Sequence, residues 1–238
     1  MHESEHPFTW LSVIPGLQEY PNHVVMVILV GVLLVALTFV ARAQLLTVMK
    51  SSEGGIVPDS KLTFRNFFEI IAEKLYALTE SVIGHHDTPV YFPIIGFLFV
   101  FIFTSNIIGL VPGVLPATEN LNTTLALGAF VFLYYNYAGF KAHGAAYLKH
   151  FLGPVIWLAP LLLLIEVASH VFRPLSLALR LRGNIMGDHV VLSKISEMAP
   201  YFLPVIFYGL GLFVAFIQAF VFCLMTMVYI SLSTAQDH

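Results

Sequence analysis

No charged side chain interrupts the chain between Met198 and Gln236. A soluble domain covers its apolar interior with polar surface, and a run of this length leaves nothing to build that surface from. Val24 to Ala41 is likewise uncharged, as is Thr88 to Thr118. Over the whole chain 58% of residues are hydrophobic and 11% charged, against roughly 25% charged in ordinary soluble domains. The chain therefore reads as an all-α integral membrane protein. A single cysteine, Cys223, excludes a disulfide scaffold. With 11 basic against 14 acidic residues and no long basic run, no nucleic-acid partner is expected. Met1 to Trp10 is acidic and His-rich, so no secretory signal is expected there.

Apolar runs of about 18 residues or more are candidate transmembrane helices. The first span is expected over 24–41. Spans over 90–111 and 121–140, separated by Pro112, Gly113 and Pro116, form a transmembrane hairpin. Two longer stretches follow, 155–191 and 201–233. The latter is roughly 48 Å of helix, against a hydrocarbon core about 30 Å thick. This excess predicts two long, tilted, antiparallel helices joined near Glu197 to Pro200. Between the first span and the hairpin, Phe64, Phe67, Phe68, Ile71, Leu75, Leu78 and Val82 recur at steps of three or four. With Pro58, Asp59 and Ser60 as a start signal, 60–83 is an amphipathic helix. It either lies on the membrane surface or packs against other protein. The rest of the fold is one upright span, the hairpin and the two tilted helices, within a single membrane domain, 1–238.

Lys and Arg distribution sets the orientation. Residues 1–22 and 112–120 carry none, whereas Arg42, Lys50, Lys61, Arg65 and Lys74 follow the first span and Lys141 and Lys149 follow the third. This alternation places the N-terminus outside and the C-terminus in the cytoplasm.

The long helix over 155–191 carries Glu166, Arg173 and Arg180 within apolar sequence. A charge at the bilayer centre costs at least about 2.5–3.5 kcal/mol, so each requires a partner or a water-filled cavity. At 100° per residue, Glu166, Ser169, Arg173, Ser176, Asn184 and Gly187 all fall within about 40° of Arg180. His170 and Asp188 lie beside this polar stripe, and His189 lies opposite unless the helix bends or unwinds. The stripe is roughly 31 Å long, as long as the membrane is thick. Arg180 keeps its proton and so acts as a fixed positive charge, not a proton carrier. Glu166, Asp188 and His189 can exchange protons. A permanent cation between titratable groups suggests a barrier between two proton routes. A structural salt bridge is the alternative for Arg180. For Arg173 a structural or snorkelling role is the simpler reading, and for Ser169 and Ser176 a bond to their own helix backbone. On the last helix Gln218 shares a face with Gly211 and Tyr229 and needs a polar partner. His85, His86, His143 and His150 read as solvated loop residues, so neither a metal nor a cofactor is expected.

The stretch Arg173-Pro-Leu-Ser-Leu-Ala-Leu-Arg180-Leu-Arg-Gly-Asn184 resembles the signature of subunit a of the F-type ATP synthase, approximately S-L-x-L-R-L-x-G-N. Glu166, Gln-Ala-Phe at 218–220, Val-Tyr-Ile-Ser at 228–231, Ser-Asn-Ile-Ile-Gly-Leu-Val-Pro at 105–112 and Asn122-Thr-Thr fit the same pattern. The resemblance implies a stator in a bacterial inner membrane, working with a ring of c subunits, the b subunits of the peripheral stalk and the rest of the synthase. Arg180 would match the family's essential arginine, holding a passing ring carboxylate ionised and blocking leakage between two half-channels. Asn184 and Gln218 would match polar residues near the outer half-channel, and Glu166 and Ser176 positions on the cytoplasmic side. His189 would fall where relatives carry a proton-handling group. Gly211 stands where relatives often carry that group's ionisable partner, leaving Asp188 as the candidate replacement. Gly109 replaces an acid found in some relatives. Arg182 points away from the stripe, towards headgroups or another subunit. Expected proton-translocation residues are thus Arg180, Glu166, Asn184, Asp188, His189, Gln218, Ser176, Arg173, His170 and Tyr229, with no covalent catalysis by this chain. Rival readings are a self-contained secondary ion transporter with its site at Arg180, and a membrane anchor.

Overall fold

The computed structural model describes residues 20–49, 64–144, 147, 159–198 and 203–235. Among these there are six α-helices and no strand. They are α1 (Asn22–Met49), α2 (Phe64–Ile83), α3 (Thr88–Gly109), α4 (Leu121–His143), α5 (Ala159–Met198) and α6 (Leu203–Thr234), with a short 3-10 turn, Ala117–Glu119, before α4. Half of the expected junction of the two long helices at Glu197 to Pro200, residues 199–200, falls outside the described residues, as do all of 60–63, 155–158, 201–202 and His150.

Local chemistry fixes the hairpin. A proline at the start of α3 fits a position whose N–H has no helical partner. Pro116 folds back onto the helix end so closely that a Cβ on Gly109 would sit 2.6 Å from its ring. This contact explains why a glycine occupies 109. Asn120 then caps α4, its side chain accepting from the Asn122 N–H at 2.9 Å. Gly144, at φ +57°, ends the helix.

The core joins α3, α4, α5 and α6. Ile95, Leu98 and Ile102 meet Val131, Tyr135, Leu177, Leu181, Ala219, Cys223 and Met227, all buried. The last two helices run in opposite directions. Arg173 of α5 lies over Tyr229 of α6, while further along Asp188 and Gly211 line one pocket. In α2, Leu75 and Thr79 are buried and Ile71, Leu78 and Val82 pack on the core. Its face is thus at least partly covered by α3 and α6, although Phe68 and Ile70 remain exposed.

By length and composition Asn22–Ala43, Thr88–Gly109 and Leu203–Thr234 are long and apolar enough to cross a membrane. Asparagines, threonines and tyrosines dilute α4, and charges dilute α5.

Candidate functional site

Because α5 stays helical from Ala159 to Met198, with Pro174 inside it, its faces are well defined. On one side Ser176, Arg180, Gly183, Asn184 and Gly187 are all exposed. A Cβ on Gly183 or Gly187 would meet nothing within 4 Å, so the space beside Arg180 is open. Arg180 makes no hydrogen bond or ion pair among the described residues. Among the described residues this cation has no acid partner, and Ser176, Gly183, Asn184 and Gly187 beside it carry little bulk.

The opposite side of α5 faces inward. Leu177, Leu181 and Ile185 are buried, and Asp188 and His189 continue that direction into a pocket against α3 and α6. Its narrow part, about 10 Å³, is lined by Asn106, Asp188, His189, Gly211 and Gln218 among others, enough for roughly one water. A larger part, about 150 Å³, shares Leu110, Asp188, His189 and Gly211 and reaches Phe207 and Leu210. Gln218 is only 6% exposed here. With the helix unbroken, His189 stays off the Arg180 stripe and belongs to this pocket.

Two polar residues at the pocket escaped sequence reasoning. Asn106, 4% exposed, accepts from Thr118 Oγ1 at 2.8 Å and donates to the Ala215 carbonyl at 3.5 Å. It ties α3, the 3-10 turn and α6 together. Glu119 brings Oε2 to 3.6 Å from His189 Nδ1. The motif Ser-Asn-Ile-Ile-Gly was visible in the sequence, but nothing local signalled that its asparagine faces α6. Arg182 also contacts this segment. Its Nε donates to the Glu119 carbonyl at 3.3 Å, so part of its guanidinium is held against its own chain, a contact the helix angles did not indicate.

The other expected residues lie elsewhere. The guanidinium of Arg173 sits 5.4 Å from the centre of the Tyr229 ring and interacts electrostatically with Tyr135. His170 is buried against the rings of Phe132 and Tyr135, with centroids 6.4 and 5.9 Å away. These contacts bind α4, α5 and α6 and draw Arg173, His170 and Tyr229 into the packing. Glu166 lies within α5, but its side chain is outside the described part. Outside the helices, exposed His85 and His86 pair with Glu80 and Asp87.

Residues 24–231 match the family described as ATP synthase A chain. A protein of Bdellovibrio bacteriovorus named "ATP synthase subunit a" is 44% identical over 232 residues, which cover 97% of this chain and 99% of that protein. One of the same name from Geotalea uraniireducens is 40% identical over 235 residues, 98% and 99% of the two chains. A third, from Geobacter sulfurreducens, is 45% identical over 174 residues, 73% and 76%. A match along nearly the full length means that this chain belongs to the ATP synthase A chain family.

Proposed function

We propose that the chain is the stator half of a proton-driven rotary ATP synthase, carrying protons to and from a ring of c subunits through two offset half-channels. The observation that carries this reading is Arg180, exposed and without a partner among the described residues, on a helix face that it shares with Ser176, Gly183, Asn184 and Gly187. A rotor carboxylate passing that face would find a cation that cannot discharge. It would stay ionised there, and a proton could not jump directly from one half-channel to the other.

The inward pocket of Asn106, Asp188, His189 and Gln218 suits the outer half-channel, because it adjoins the loop 112–120, which carries no Lys or Arg. The cytoplasmic half-channel falls to the other end of α5, near Glu166 and Ser176. At 40 residues, α5 is roughly 60 Å long, twice the hydrocarbon thickness, and α6 at 32 residues is roughly 48 Å. Both would lie tilted, presenting a long contact to a curved ring, with α1 upright. The N-terminus would be outside and the C-terminus in the cytoplasm of a bacterial inner membrane. The b subunits of the peripheral stalk would hold the chain against rotation. Apart from passing protons, the chain makes and breaks no covalent bond. Its work is electrostatic, at about 2.3 kcal/mol per elementary charge per 100 mV.

The test is Arg180→Ala in the assembled synthase, in inverted membrane vesicles. ATP-driven proton pumping is expected to disappear while the complex remains intact on native gels. Pumping that survives in the intact complex would refute the reading.

A further inference from the structure

His189 lines the inward pocket, but the residue facing it from α6 is Gly211. A side chain at 211 would start against Leu110, whose Cδ2 lies 2.7 Å from where the Cβ would be. A proton partner for His189 must therefore come from elsewhere. Asp188 shares the pocket, yet the acid that reaches the imidazole is Glu119, with Oε2 3.6 Å from Nδ1. That oxygen is sealed from solvent and has no hydrogen-bond partner among the described residues. Leaving a carboxylate oxygen buried without a hydrogen bond is costly, so a residue kept this way invites a functional explanation.

Three contacts hold Glu119 in place. Its carbonyl accepts from Arg182 Nε, the adjacent Thr118 is bonded to Asn106, and Pro116 is pressed against Gly109. On its far side Glu119 also lines a separate cavity of about 480 Å³, with Asn22, His23, Asn120 and Arg182. Glu119 thus borders two spaces, the polar cavity beside the start of α1 and, through His189, the pocket of Asn106, Asp188 and Gln218. The titratable and charged groups around the pair are His23 from α1, Arg182 and Asp188 from α5, and none from Gly211 of α6.

We propose that Glu119 is the outermost proton carrier of this chain, taking a proton from the cavity beside α1 and passing it to His189, the role Asp188 was expected to fill. The proposal rests on the half-channel reading above. A proton from water in the cavity binds the Glu119 carboxylate. The carboxylic O–H bond then breaks as an N–H bond forms at His189 Nδ1, and the imidazolium releases a proton from Nε2 into the inner pocket. One proton enters and one leaves. The ring resets by tautomer exchange, and no other bond changes.

The experiment uses the complete synthase in inverted vesicles, with passive proton conduction read after removal of the soluble head and ATP-driven pumping read with it in place. Glu119→Gln keeps the backbone anchor to Arg182 and should lower both by at least about tenfold with the complex intact. Glu119→Asp should retain a large part of both. Conduction by Glu119→Gln near the wild-type level overturns the proposal. So does equal failure of the aspartate and glutamine variants, or loss of the assembled complex with glutamine, since either makes the side chain structural. Arg180→Ala, run alongside, separates the two ideas. If it still pumps, the half-channel reading fails. If it is dead while Glu119→Gln conducts normally, only the relay fails.

Discussion

Arg180 shows how much depends on which cation stands at a position. A lysine there would keep the charge in water, but its ammonium loses a proton more readily when desolvated and lacks the planar fork that pairs with a carboxylate through two bonds. Arg180→Lys is therefore expected to cut ATP-driven pumping by at least about tenfold with assembly retained, measured by acidification of inverted vesicles. A lysine variant that pumps normally would mean that charge alone suffices. This residue and its neighbours were legible because helical periodicity is local. Ser176, Asn184 and Gly187 share a side with Arg180 whatever the rest of the fold does, and the structure leaves all of them exposed. Asn106, Glu119 and the Arg182 bond to the Glu119 carbonyl were not legible. They depend on the 3-10 turn docking onto α3 and α5, and no pattern within one segment encodes contact with another. Arg173, His170 and Tyr229 share that limit. Spacing placed them on or near the polar faces, but aromatic neighbours from α4 absorbed them into the packing.

Among the elements, the α4–α5 crossing is the tightest joint. A Cβ on Gly128 would lie 2.6 Å from the Pro174 carbonyl oxygen. That obstacle is backbone and cannot rotate aside. Gly128→Ala must push the helices apart, at a cost of about 1–3 kcal/mol for overpacking. A lower melting temperature of the purified complex is expected, with less complex recovered, whereas Gly183→Ala, facing open space, should leave the chain's own stability unchanged. If Gly128→Ala melts with the wild type, the close approach is not real. Helix positions were readable from the lengths of apolar runs, but helix ends were not. The first helix continues past Ala41 to Met49, and α5 continues past Val191 to Met198. Polar residues sustain helix beyond the apolar stretch, and at the end of α5 Lys194 and Glu197 pair at 3.0 Å across one turn. Hydropathy marks what lipid accepts, whereas backbone hydrogen bonding decides where a helix stops.

Taken whole, the molecule has polar features on two sides of one helix, and the chain closes over only one of them. The inward pocket is complete in the single chain, walled by α3, α5 and α6. The Arg180 face has no wall among the described residues, and exposed Leu179 and Val190 flank it on α5. Lipid suits those apolar side chains but leaves a bare guanidinium costly, so a partner must supply both apolar contact and an anion. On the proposed reading a ring carrying a mid-membrane carboxylate would do so, whereas a self-contained transporter would wall its site with its own helices. Two measurements follow. The purified chain alone in liposomes should conduct protons no faster than empty vesicles under an imposed potential, and conduction should appear when c subunits are reconstituted with it. Gly187→Leu should leave the isolated chain folded, since no atom of the described residues lies within 4 Å of a Cβ there, yet weaken ring association or stall pumping in the complex. A chain that transports unaided, or a leucine at 187 that pumps normally, would show that the rotor passes elsewhere. The steric probe has the advantage of removing no charge, so its effect can come only from something arriving at that face.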